Sequence, residues 1–383
     1  MLEYFLNLRV VTMKKNGWTI EILEERLDLL KNLALNEKDG NKLNMLLTDY
    51  EFVKYYIYEC LYPDDEELPL YDAYKEFKKD LTACNFSWSD IINFYYLTKS
   101  DIGTIPELQK IDLTEDDLFE LTHDFYKSLN GDFYISFARN FIYRKHYTSF
   151  ELFNPKNPCG GETIPIISQK EFFMKIYRDF TLDDLFTTVH EYSHTTSITI
   201  NPNNIDEKKV LFEEIESIFM ELIAADYFEN IFKNGEALLT RAIYHNKYCS
   251  TAHDIKRLIP LISFEGILSN GYCNKNTLIN AAEAIQKVSS LELAEILKKE
   301  KYGKQKYLIS YMFAIELYNL YKRDKEIALY YLRKIILLNC SSSEEYYNSI
   351  KKMGLDPNFS TEQIHKACKE DIMRITRKKS NQK

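Results

Sequence analysis

Thr181-Leu182-Asp183-Asp184-Leu185-Phe186-Thr187-Thr188-Val189-His190-Glu191-Tyr192-Ser193-His194 decides how this chain is read. Its last five residues are H-E-x-x-H, a pattern of zinc-dependent hydrolases. Residues four apart on a helix lie about 40° from each other, so His190 and His194 can turn an imidazole nitrogen towards one metal ion. Glu191 then stands one step round, where a carboxylate can take a proton from water whose pKa a metal lowers to roughly 7. With only seven histidines in 383 residues, such a pentapeptide arises by chance in about one comparable chain in a hundred. The approach to it also reads as a helix. Leu182, Leu185, Phe186 and Val189 repeat at helical spacing, and Thr181 with Asp184 resembles a capping box.

A zinc site needs a third protein ligand, and Glu213, Glu214, Glu216 and Glu221 lie together on the next strongly periodic stretch. At about 100° per residue, Glu214 and Glu221 fall within about 20° of each other, at the edge of the arc of Leu211, Ile215, Ile218, Phe219 and Leu222. Glu213 and Glu216 point further away. Glu214 is therefore the expected third ligand, and Glu221 a carboxylate that orients one of the histidines.

Composition sets the class. Hydrophobic residues make up 45% and aromatic ones 14%, enough for a large buried core. The net charge of −9 argues against a nucleic-acid partner. No apolar run reaches the roughly 18 residues of a membrane span, and Met1-Leu2-Glu3-Tyr4-Phe5 lacks the marks of a signal peptide, so a cytoplasmic location is expected. Seven scattered cysteines without a C-x-x-C pair read as reduced thiols.

From Trp18 to about Tyr126 the pattern is helical, with Ile20, Leu23, Leu27, Leu30 and Ala34 on one stripe. Pro63 to Glu67 and Asn85 to Asp90 read as connections, with Ser89 and Ser100 as caps. Phe133 to Phe137 and Phe141 to Tyr143 suit either a strand or a buried helix. Asn154 to Gly161 is a loop, and Thr163 to Ile167 and Glu171 to Arg178 read as strands just ahead of the metal helix. A short sheet edge beside a metal suits an extended peptide. Gly160, Gly161, Met174 and Ile176 are accordingly the candidate substrate-binding positions. His123, His245 and His253 lack metal spacing and read as surface or core residues, and the chain breaks near Ser269 to Gly271 and at Lys301 to Gly303.

Four stretches resemble the thimet oligopeptidase and oligoendopeptidase F family of zinc metallopeptidases, especially its oligoendopeptidase F branch. They are Thr181 to Glu191, Glu214 to Ser217 with Glu221, the tyrosine-rich Tyr307 to Ala314, and Lys352 to Asp356 with Ile364. The resemblance covers roughly Phe172 to Asp371. It implies a mainly α, two-lobed helical zincin-type metallopeptidase with a small β-sheet beside the zinc helix and a central substrate channel. Residues 1–130 would form a shortened N-terminal helical lobe and 131–383 the catalytic region.

The resemblance further implies one Zn2+ per chain held by His190, His194 and Glu214, with Glu221 and Asp184 behind these ligands. Glu191 would activate water, Tyr311 or Tyr307 would stabilise the oxyanion, and short peptides would be the substrates, with neither nucleic acid nor membrane as partner. Three features depart from the family pattern. Ser193 stands where it usually has Gly, no histidine stands in Lys299 to Gln305 shortly before the tyrosine segment, and the chain ahead of the zinc motif is shorter than usual. The last two motivate a second expectation, a zinc-containing peptide-binding or regulatory protein that has lost turnover. A third is a helical zinc carboxypeptidase or dipeptidase.

Overall fold

The computed structural model describes residues 19–61, 106–129, 131–153, 160–202, 212–263, 304–355, 370, 371 and 373. The connections at 63–67 and 85–90, the proposed caps Ser89 and Ser100, the breaks at 269–271 and 301–303, and Ile364 lie outside these residues. So do most of the loop ahead of Gly160 and Cys84, Cys159, Cys273 and Cys368; Cys249 and Cys340 are buried free thiols. Among the described residues the architecture is mainly helical with one small sheet, and no helix is long and apolar enough to cross a membrane. Two compact units share these residues: one holds 19–61 and 109–202, the other 106–108 and 212–373.

In the first unit, α1 (Ile20–Asn36) and α2 (Gly40–Leu61) pack against each other. Leu23 and Leu30, two turns apart, are fully buried with Val53 of α2, and Ile20, Leu27 and Ala34 pack beside them. Asp39 starts α2 by accepting from the backbone N–H groups of Asn41 and Lys42 at 3.0 and 2.9 Å. The same apolar cluster takes Ile164, Ile166 and Phe173 from the sheet. Arg26 Nε donates to Glu171 at 2.6 Å, which pins α1 to the sheet.

The sheet has β1 (Thr148–Leu152), β2 (Gly161–Ile166) and β3 (Glu171–Arg178) in the order β1-β3-β2. β1 runs parallel to β3, and β2 antiparallel. The two strands expected from sequence are present, but the expected substrate edge is not where Met174 and Ile176 put it. β3 is the middle strand: Met174 pairs with Thr148 on one side and Thr163 on the other, and Ile176 with Phe150 and Gly161. Both side chains are buried, at 2% and 0% exposure. The edges belong to β1 and β2. β3 is apolar on both faces because helices cover both, α1 and α2 on one side and the metal-motif helix on the other.

Phe133 to Phe141 forms a helix, not a strand. α4 (Gly131–Phe141) comes after α3 (Glu115–Leu129), and its first residue, Gly131, has a φ of 62° that favours glycine. Phe133, Phe137 and Phe141, at i, i+4 and i+8, are buried on one face. Phe137 stacks on Tyr126 at 4.2 Å and meets Tyr192 edge-on at 5.2 Å. A one-turn helix α5 (Arg144–Tyr147) leads into β1.

α6 (Asp183–Ile200) carries the motif and is buried along most of its length. Its start corrects the expected capping box. The helix begins at Asp183 with Leu182 as N-cap, and the Asp184 carboxylate turns outward to the preceding chain. It accepts from Asp179 N at 2.9 Å, Phe180 N at 3.1 Å and the Arg178 guanidinium at 3.1 Å. Thr181 Oγ1 donates to Asp179 and receives the Asp183 N–H at 3.2 Å. The end of β3 competes for the side chain that a local box would have used.

In the second unit, α7 (Ile215–Phe232) is buried nearly all round and packs on α8 (Glu236–Ser263) and α9 (Lys304–Arg323). α10 (Lys325–Leu337) and α11 (Ser343–Lys352) follow, capped by the side chains of Asp324 and Ser342. Arg241 locks these elements together. It donates twice to Asp371 at 2.7 Å, and to the Leu222 carbonyl at 3.0 Å, Asp226 at 3.0 Å and the Tyr318 hydroxyl at 2.6 Å.

Candidate active site

His190 and His194 present their Nε2 atoms to each other at 3.1 Å, with ring planes 78° apart. Both imidazoles are half-buried. For a tetrahedral zinc ion with bonds of about 2.0–2.1 Å, two nitrogens sit about 3.3 Å apart, so this pair fits such an ion as it stands. The rest of the motif points elsewhere. Tyr192 is buried in the aromatic cluster, where burial drives its phenol well above the ordinary value. Ser193 is buried too, and the helix accepts its hydroxymethyl group without a break.

Glu191 is 4% exposed, and its Oε2 accepts from Thr163 Oγ1 at 2.6 Å. Gly161 lies against the same carboxylate, and Gly160 against Thr187 one turn earlier. The sequence reading missed Thr163 and Thr187. Period-two alternation along β2, with Ile164 and Ile166 directed into the apolar cluster, is the signal that would have put Gly161 and Thr163 on the opposite face.

In the second unit Glu214 is not inside a helix, so the helical-face argument for it does not apply. It is the N-cap residue of α7, at φ −94° and ψ 1°. Burial still separates the candidates: the Glu214 side chain is 5% exposed and that of Glu213 37%. Glu216, expected to point away, is buried as well. Glu214 accepts from Ser217 Oγ at 2.9 Å and pairs with Lys306 at 3.0 Å; Lys306 also reaches Glu213. Burial alone would lower the Lys306 pKa, but Glu214 and Glu213 outweigh it and raise it above the ordinary value. His190, His194 and Glu214 are thus two imidazoles and a buried carboxylate, the donor types of a catalytic zinc site.

Glu221 is buried and accepts from Tyr248 at 2.7 Å; burial and the Glu221 charge together hold that phenol protonated well above its usual range. Tyr307 is half-buried and stacks on Tyr248 with centroids 6.1 Å apart. Tyr311 is buried, its hydroxyl bonded to Nδ1 of His245, and His245 Nε2 approaches Cys249 Sγ at 3.7 Å. His245, read from sequence as a surface or core residue, is therefore a buried partner of a candidate catalytic tyrosine. Its spacing to Tyr248 and Cys249, i+3 and i+4 on one face of α8, was the available signal.

The sequence matches no protein-family model and no curated protein. Solved structures do match in shape. A Bacillus anthracis structure bearing the name oligoendopeptidase F aligns over 90% of this chain at a TM-score of 0.51 and 11% identity. A second structure of that name aligns over 92% at 0.53 and 12%, and PZ peptidase A, solved with an inhibitor, over 91% at 0.53 and 9%. The chain has the oligoendopeptidase F fold. It spans 64% of the length of the first of these structures, less than two thirds, and 67% and 71% of the other two. Placed on the oligoendopeptidase F fold, the H-E-x-x-H stretch lies on a buried helix packed against a small sheet, which is the arrangement the sequence resemblance implied.

Proposed function

We propose that this chain is a zinc-dependent endopeptidase acting on short, unstructured peptides. The observation that carries the reading is on α6: His190 and His194 converge at 3.1 Å while the intervening Glu191 is held by Thr163. His190, His194 and Glu214 would hold the ion, and Glu221 and Asp184 would act behind the ligands and their helix. Zinc there would supply Lewis-acid polarisation of a carbonyl and lower the pKa of nearby water. Glu191 would take the proton of the attacking water and return it to the leaving amine. Tyr311 or Tyr307 would donate to the developing oxyanion. β2 is an edge strand, so an extended peptide can add to it, with Gly160 and Gly161 at its start.

The test is mass spectrometry of a pool of unstructured peptides of graded length, incubated with the wild type and with Glu191→Gln, alongside zinc analysis of both. Internal cuts by the wild type alone support the proposal. Cuts confined to chain ends favour a carboxypeptidase or dipeptidase. Zinc bound without cleavage by either protein favours the peptide-binding reading.

A further inference from the structure

β2 is built as a cradle for the Glu191 carboxylate. Its side chains alternate, so Ile164 and Ile166 enter the core with α1 and α2 while Gly161 and Thr163 share the other face. The register with β3 fixes both positions, Gly161 opposite Ile176 and Thr163 opposite Met174. α6 offers Thr187 and Glu191, four residues apart, to that face. A Cβ on Gly161 would stand 2.6 Å from Glu191 Oε1, 2.7 Å from its Cγ and 2.8 Å from Thr187 Cγ2. These are closer than side chains approach, so residue 161 has no room for one while Glu191 holds its place. Two residues on, Thr163 Oγ1 donates to Oε2 at 2.6 Å.

We propose that Thr163 is a positioning residue for Glu191, with Gly161 supplying the space into which the carboxylate is turned. This rests on the reading of Glu191 as the general base. A glutamate reaches its substrate through three rotatable bonds, and a base acts only within hydrogen-bond distance of the proton it takes. Fixing Oε2 fixes the plane of the carboxylate and with it the direction of Oε1. No contact with substrate is required of Thr163.

The experiment compares wild type, Thr163→Val and Thr163→Ser with an internally quenched peptide drawn from those the wild type cuts. Val keeps the shape and removes the donor; Ser restores the donor. Thr163→Val should lower kcat by about tenfold, with KM within about twofold and zinc content unchanged, and Thr163→Ser should recover most of the loss. The proposal is overturned by a Val variant with wild-type kcat, by a Ser variant as impaired as Val, or by a loss residing in KM or zinc content. A second measurement is independent of turnover. Thr163→Val should lower Tm more in the wild type than in a Glu191→Ala background, and equal shifts would refute the contact. A wild type that cuts no peptide overturns the peptidase reading alone, and the thermal comparison then decides for Thr163.

Discussion

At the scale of single residues, Glu191 shows how little of a site's positioning is written beside it in the chain. Its neighbours in space, Gly161 and Thr163, precede it by about thirty residues, and no periodicity links a strand to the helix it will meet. The type and spacing of His190, Glu191 and His194 were legible because a helix makes i and i+4 neighbours whatever the fold. Gly161 was legible as a special position, but its packing against Glu191 and Thr187 was not. The two glycines should therefore respond differently to one added methyl. Gly161→Ala places its Cβ 2.6 Å from Glu191 Oε1, whereas the nearest atom to a Cβ on Gly160 is Thr187 Oγ1 at 3.2 Å. Gly161→Ala should cost about 1–3 kcal/mol by overpacking and abolish cleavage, and Gly160→Ala should cost clearly less. Urea denaturation of the two variants checks the ranking, and equal midpoints would contradict it.

At the scale of elements, hydrophobic spacing predicted α6, β2 and β3, since buried faces impose their period on sequence. Element starts were less legible, because a polar side chain near a helix end can be taken by a distant partner. Glu214 looked like a helical residue and is an N-cap; Asp184 looked like half of a capping box and anchors β3. Phe133 to Phe141 was ambiguous because aromatic residues suit both structures, and only its contacts with Tyr126 and Tyr192 select the helix. The anchor predicts an asymmetry between neighbouring substitutions. Arg178 and Asp184 are both buried, so Asp184→Ala strands a guanidinium that otherwise keeps the Leu113 carbonyl. The loss should be about 3–5 kcal/mol. Thr181→Ala removes one acceptor at the helix start and should cost only about 1 kcal/mol. Thermal and urea unfolding of both variants give the comparison.

Across the second unit, buried phenols make stability depend on alkaline pH. Burial is the main cause that raises Tyr248 and Tyr318 above the ordinary value of 10.0, with Glu221 adding to it for Tyr248 and Arg241 partly opposing it for Tyr318. A phenol that ionises at 10 when unfolded but later when folded favours the fold below pH 10, and that contribution is lost as pH rises further. Unfolding free energy should be flat in these groups up to about pH 10 and fall above it. Tyr248→Phe should make the fall shallower, and the part of the phenolate absorbance that this substitution removes should rise together with unfolding rather than before it.

For the whole molecule, the proposed ligand set would make metal binding and folding one equilibrium. An ion that binds the folded chain and not the unfolded one stabilises it by about 2.7 kcal/mol at a hundredfold excess over Kd. If His190, His194 and Glu214 hold one zinc ion, dialysis against a chelator should abolish cleavage and lower Tm, and stoichiometric zinc should restore both. His190→Ala and Glu214→Ala should each remove the zinc-dependent part of Tm, while Glu213→Ala, whose side chain is far more exposed, should retain it. A Glu213 variant that loses the shift while the Glu214 variant keeps it would move the third ligand by one residue. A Tm indifferent to chelation would remove the metal from the proposal, and with it the reason for gathering two imidazoles and a buried carboxylate.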